Sequence, residues 1–203
     1  MNPCNSSLKV QKDRKGATSA IYTSITRISD TSIFYILKSP LELVVIIFYV
    51  EAFSLIAKNQ ALFISRGDDS GTNKLEINLW QQAKIKPAGA WYQETGAGMG
   101  QTLQVANEKY GYTLADRATY IFQKQNLSLP ILVEGDPKLL NLYHVMEVNP
   151  NKFTRVNTSG AKAFSDFLLS PEGQKVIADH GKAKFGQALF FVDAGKTEKD
   201  YGL

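Results

Sequence analysis
The chain has 203 residues and a formal net charge of +4, enough for one domain with a sizeable core or for two small lobes. Residues 1–49 hold six Lys/Arg against three Asp/Glu, whereas residues 50–203 are nearly balanced at seventeen against sixteen. No basic stripe with interleaved aromatics is present, which argues against a nucleic-acid partner. A single cysteine, Cys4, excludes an internal disulfide framework, and His144 and His180 are too far apart to read as a zinc pair.

Residues 1–30 are rich in Ser, Thr and Lys without a helical or strand period, and poor order is expected there. Leu43–Val50 is apolar and reads as a buried strand or an aggregation-prone run, with a marginal membrane segment as the lesser alternative. Lys38, Pro40 and Glu42 interrupt the surrounding apolar stretch, so it falls short of the ~20 residues a membrane span needs. It also lies too far from the N-terminus for a secretory signal. Glu51–Gln60 carries Phe53, Ile56 and Ala57 at helical spacing.

The chemically informative stretch comes next. Ala61-Leu62-Phe63-Ile64 reads as a buried strand and runs into Ser65-Arg66-Gly67-Asp68-Asp69-Ser70-Gly71-Thr72. Leu75, Leu79 and Ala83 then recur four apart, a helix ended by Pro87 and Gly89. Strand, polar turn and helix N-terminus together form an anion site, because the first helical amides are unpartnered and lie at the positive end of the dipole. Arg66 adds the full positive charge in a fork suited to a tetrahedral oxyanion. Ser70, Gly71 and Thr72 add hydroxyls and amides, although Ser70 and Thr72 also suit plain helix capping.

Trp91-Tyr92 reads as a short strand, and Gly96-Ala97-Gly98-Met99-Gly100 opens a helix with Leu103, Ala106 and Tyr110 inward, ended by Gly111. The glycines allow a tight strand-to-helix turn, and Gly98 and Gly100 could equally form a second wall of a ligand cleft. Thr113 and Asp116 have capping-box spacing for a further helix with Leu114, Ala118 and Ile121 inward. Ile131–Glu134 and Leu142–Val148 read as strands. Ala163, Phe164, Phe167 and Leu168 mark a helix ending near Ser170. Pro171 opens the next helix, which Gly181 closes, and Leu189–Val192 reads as a last strand. This alternation predicts an α/β fold with a largely parallel sheet.

Arg66-x-Asp68-x-Ser70-Gly71-Thr72 resembles the anion-binding turn of phosphate-binding proteins. The longer string Ser65–Thr72 is similar to the extracellular or periplasmic tungstate-binding proteins of ABC importers, a branch of the type II solute-binding family. Further matching strings are Trp91-Tyr92, Gly96–Leu103, Tyr112–Tyr120, Leu132–Asp136, Val148-Asn149-Pro150 and Ser170–Gly173, in family order from Glu51 to Val192. The resemblance implies a type II periplasmic-binding-protein-like fold, mainly its second lobe with the returning C-terminal helices. Nothing in residues 1–49 resembles the family's first lobe, so these residues are read as an unrelated leader and 50–203 as a partial binding-protein domain.

By that resemblance the protein captures a tetrahedral oxyanion, tungstate or also molybdate, and delivers it to an ABC transporter permease outside the cytoplasm. Arg66, Ser70, Gly71 and Thr72 are the expected ligand-binding residues, with Asp68, Gly98 and Gly100 in support. Asp68 is expected to position Arg66, since a fully deprotonated anion has no proton to share with it. No cofactor, metal or catalytic residue is expected. The alternatives are a phosphate-binding protein of the same fold and a fragment that binds nothing. A Mg²⁺-dependent phosphoryl-transfer enzyme using Asp68 and Asp69 fits less well, because adjacent turn residues rarely aim both carboxylates at one ion and no Walker lysine follows. Without a first lobe, Ala163, Phe164, Phe167 and Leu168 are expected to be partly exposed and to favour self-association.

Overall fold
The computed structural model describes residues 22–37, as backbone, together with 49–196 and 200. The described chain forms two compact units, one from residues 32–37 and 49–141, the other from 22–31 and 142–196. The backbone passes from one to the other within two strands, β1 (Tyr22–Leu37) and β6 (Leu140–Val148).

In the first unit, α1 (Tyr49–Lys58), β2 (Phe63–Ser65), α2 (Gly71–Gln82), β3 (Tyr92–Glu94), α3 (Met99–Glu108), β4 (Thr113–Asp116), α4 (Arg117–Gln123) and β5 (Ile131–Val133) follow in order. β2 and β3 pair in parallel, with Phe63 opposite Tyr92 and Ser65 opposite Glu94. A parallel bridge joins Phe63 to Tyr112, just ahead of β4. These are the parallel pairings the strand–helix alternation predicts. β1 departs from that expectation, running antiparallel to both β4 and β5, and β6 also pairs with it. β1 precedes the first helix and is not reached through a helical crossover, so nothing obliges it to run parallel.

The core of this unit is aromatic. Phe53 from α1, Phe63 from β2 and Trp80 from α2 are fully buried. The Trp80 ring meets Phe53 at 4.2 Å and Phe63 at 5.2 Å between centroids, both edge-on, the arrangement aromatic quadrupoles favour. Tyr92 stacks on Phe63, and Trp91 closes the cluster against Trp80. Side chains alternate across a strand: Phe63 joins this cluster, and the next residue, Ile64, is equally buried outside it.

Four local readings are corrected. Tyr49 and Val50 belong to α1 and are not strand; residues 43–48 of that expected strand lie outside the described residues. Residues 22–30, expected to be poorly ordered, lie in β1. Thr113–Asp116 is strand β4, and Asp116 caps α4 by accepting the Thr119 amide at 2.8 Å. The capping signal was real, but the helix starts after Asp116 and not after Thr113, which leaves Leu114 buried in a strand. Finally, Tyr110 is exposed and takes the left-handed conformation itself, with φ 54°. Gly111 is needed for a different reason, since a Cβ there would meet Ile64 Cγ1 at 2.9 Å.

The second unit contains α5 (Thr158–Leu169), α6 (Pro171–Asp179) and α7 (Lys182–Phe185). Ser170 ends α5 and caps α6 by accepting the Gly173 amide at 3.1 Å, with Pro171 in the first turn. Gly173 allows the two helices to meet closely, because a Cβ there would sit 2.0 Å from the Phe167 carbonyl oxygen. Leu189–Phe191 is irregular, with a single bridge at Val192 in place of the expected strand. Phe164, Phe167 and Val176 are exposed. No helix among the described residues is long and apolar enough to cross a membrane.

Candidate oxyanion site
β2 delivers the chain to the site through three fully buried residues, Phe63, Ile64 and Ser65. The turn that follows has two left-handed residues, Gly67 and Asp69, each at φ 59°. Gly67 is obligatory on two counts: the positive φ, and a Cβ position only 2.6 Å from Glu94 Cβ. Asp69 is a residue type that tolerates this region. Its carboxylate is solvated, with Lys74 3.4 Å away on the surface, and its amide donates to Asn73 Oδ1 at 3.1 Å.

Ser70 is the N-cap of α2. Its backbone is extended, and its Oγ accepts the Asn73 amide at 3.3 Å. Gly71 is the first helical residue, exposed, with open space where a Cβ would be. Arg66 folds back over this helix start. Its Nη2 pairs with Asp68 Oδ2, and its Nη1 lies 3.4 Å from Thr72 Oγ1. Arg66 Nε is buried and has no acceptor among the described residues. Asp68 uses its other oxygen, Oδ1, to accept the Ser70 amide at 3.2 Å. Hydrogen bonding from Ser70, followed by the Arg66 guanidinium, holds the Asp68 carboxyl below the ordinary aspartate range. Asp68 is therefore an ionised clamp with both oxygens engaged on its own turn.

Arg66, Asp68, Ser70, Gly71 and Thr72 are thus brought together as the sequence indicates. The Gly98 and Gly100 positions divide. Gly98 is the N-cap of α3, and Thr95 ties the segment ahead of it to the strand end. The Thr95 Oγ1 lies 3.3 and 3.2 Å from the Ser65 and Arg66 carbonyl oxygens and accepts the Ala97 amide at 3.2 Å. Thr102 adds a 2.9 Å contact between the two hydroxyls. Gly100 instead faces the end of α4, where a Cβ would meet Gln123 Nε2 at 2.6 Å. It serves helix–helix approach.

Several residues that organise the site were not singled out from sequence. Below the turn, Asn73 Nδ2 reaches Ser65 Oγ at 3.3 Å, and Ser65 donates to Glu76 Oε2 at 2.6 Å. Glu76 is 2% exposed and also accepts from Trp80 Nε1 at 3.1 Å and Tyr92 Oη at 2.8 Å. Burial raises its pKa, opposed by the hydrogen bonds it receives. One signal was available: Asn73, Glu76 and Trp80 lie three and four apart, on the face of α2 that also carries the buried Leu79. A polar residue in that register marks a buried network.

The parallel strands β2 and β3 flank α2, and the charged turn lies at the start of that helix. Residues 10–172 match the PBP superfamily domain, and the chain belongs to that family. The match begins ahead of Glu51, where the recognisable strings start. Over 147 residues the chain is 46% identical to the tungstate-binding protein TupA of Peptoclostridium acidaminophilum, covering 72% of this chain and 51% of that one. Among solved structures, it resembles the tungstate-binding protein TupA from Desulfovibrio alaskensis with a TM-score of 0.70 at 38% identity, covering 86% of this chain and 72% of that one. The tungstate ABC transporter structure from Geobacter sulfurreducens gives 0.69, also at 38% identity, over 79% and 69% of the two chains. The chain spans about half the length of the curated relatives it matches.

Proposed function
We propose that the Arg66–Thr72 turn forms one wall of a tetrahedral-oxyanion site, and that the protein captures tungstate, or molybdate, for delivery to an ABC-type permease outside the cytoplasm. The observation that carries this reading is the state of Arg66. Its guanidinium is held over the N-terminus of α2 by Asp68 and Thr72, while its Nε has no acceptor among the described residues. A buried donor of that kind needs a partner, and an anion at a helix start supplies one. The names of the relatives agree with the ligand class.

The contacts of Asp68 support its reading as the residue that positions Arg66. It is ionised and already engaged by Arg66 and Ser70, so it acts by positioning the arginine. The reading is of a binder and not a catalyst: Asp69 is solvated and turned away to Lys74, leaving no paired carboxylates for Mg²⁺.

Isothermal titration with tungstate, molybdate and phosphate, with and without Mg²⁺, tests the proposal. Arg66→Ala should weaken tungstate binding by a few kcal/mol, because the lost bond is charge-assisted. Asp69→Asn and Mg²⁺ should change little. Equal binding by Arg66→Ala and the parent would remove Arg66 from the site, and a strict Mg²⁺ requirement would favour phosphoryl transfer instead.

A further inference from the structure
Glu76 lies in the core, one turn of α2 below the anion turn, and no step of ligand capture uses it. Its surroundings are donors: the Trp80 indole and Tyr92 hydroxyl on Oε1, the Ser65 hydroxyl on Oε2, with the Asn73 side chain beside them. In the structure Glu76 accepts from Trp80, Tyr92 and Ser65, so the Ser65 proton is spent on Oε2. The Ser65 oxygen is then left to accept from Asn73 Nδ2. That orientation of the Asn73 amide turns its Oδ1 toward the Asp69 N–H. Asp69 is the left-handed residue of the anion turn. Every bond from the core to the turn therefore runs in one direction, set by the group at its buried end.

We infer that Glu76 is a positioning residue for the oxyanion turn, acting through a one-way hydrogen-bond relay by Ser65 and Asn73. This deepens the reading of Arg66–Thr72 as an anion site and rests on it for its purpose, though not for its geometry.

The direction of the relay makes a prediction that packing alone does not. In Glu76→Gln the volume is kept, but one oxygen becomes an NH2. The Trp80 indole can only donate, so the glutamine carbonyl must stay on the Trp80 and Tyr92 side. Its NH2 then faces Ser65. Ser65 now accepts from position 76, its own buried proton loses Glu76 as acceptor, and a flip of the Asn73 amide supplies a new one. The flipped NH2 faces the Asp69 N–H, donor against donor, and the clamp on the turn is lost. Adding Asn73→Asp restores it, because an acceptor-only aspartate takes the Ser65 proton on one oxygen and the Asp69 amide on the other.

The test is amide hydrogen exchange on the full 203-residue chain without anion, comparing Asp69 with Leu79 in the middle of α2. Glu76→Gln should speed exchange at Asp69 by about tenfold, the order expected for one lost hydrogen bond, with Leu79 unchanged. Glu76→Gln with Asn73→Asp should return Asp69 to the parent rate. Unchanged exchange in the single variant, or no recovery in a folded double variant, overturns the relay. Should Glu76→Gln fail to fold, recovery of folding by Asn73→Asp supports the relay, and failure of both variants overturns it. A parallel tungstate titration of the parent keeps the two readings separate: exchange as predicted with no binding would retain the relay and discard the ligand.

Discussion

The aromatic unit and the helical unit differ in how much apolar surface they leave open among the described residues. In the first, Phe53, Phe63 and Trp80 are sealed against each other, and polar groups inside the core are paired in a chain from Glu76 to Asn73. In the second, α5 and α6 are capped and correctly bounded, yet Phe164, Phe167 and Val176 are exposed. Helix boundaries are thus decided by local chemistry in both units; Tyr110 and Phe122 are exposed in the first as well, but the large sealed aromatic cluster lies there. The expectation that Phe164 and Phe167 would be partly exposed holds; self-association through that face is a proposal, which sedimentation tests.

The sharpest way to break this contrast is a pair of truncations. Trp80→Ala should cost about 3–5 kcal/mol, the range for a large buried aromatic, seen as a lower urea midpoint. Phe167→Ala should stay within about 0.5 kcal/mol, as for surface positions, while reducing concentration-dependent association in sedimentation. Similar costs for the two would mean that the helical unit has a core of its own. The caps give a smaller effect, expected to be alike in both units. Ser70→Ala and Ser170→Ala each remove a side-chain acceptor from an amide at the start of a helix and should each cost about 1 kcal/mol. Thermal melts followed by circular dichroism would reveal an unequal pair.

The smallest effects concern pH. Asp68 has its pKa lowered by Ser70 and Arg66, so its stabilisation is present above the ordinary aspartate pKa and lost as pH falls through the folded value. Glu76 has the opposite sign. Burial raises its pKa, so its contribution is fully present below the ordinary glutamate pKa and fades as pH rises through the folded value. In the helical unit, Lys175 and Lys182 bring the exposed Asp179 down to about 2. Carboxyl NMR titration should place the three in the order Asp179 and Asp68 low, Glu76 high. Salt should shift Asp179 upward and leave Glu76 nearly unmoved, because screening reaches surface pairs and not buried groups.

The legible parts of the sequence were those governed by short-range rules. Ser70 and Ser170 announced helix starts, Pro171 a first turn, and Ser65–Thr72 a charged turn between strand and helix. What escaped notice depended on contacts distant in the chain. Glu76 reads as an ordinary helical glutamate until Tyr92, 16 residues on, is brought against it. Gly111 reads as a helix terminator, whereas its lack of a side chain matters because Ile64 lies against it. β1 was missed because it lies in a stretch without period and pairs with strands 76 to 97 residues later. Leu114 followed helical spacing by coincidence, since a capping signal does not say on which side of it the preceding strand ends.

Gly67 and Gly71 sit four residues apart on one turn with opposite tolerances. Gly67 has neither the φ nor the room for any side chain, whereas Gly71 has an ordinary helical backbone and open space beside it. The second position is therefore a place to attach something. The chain has a single cysteine, Cys4, so after its replacement a Gly71→Cys variant could carry one environment-sensitive dye at the rim of the turn. The backbone amides would stay in place, and the glycine that looks most like part of the binding surface would become the natural anchor for an optical sensor of the anion.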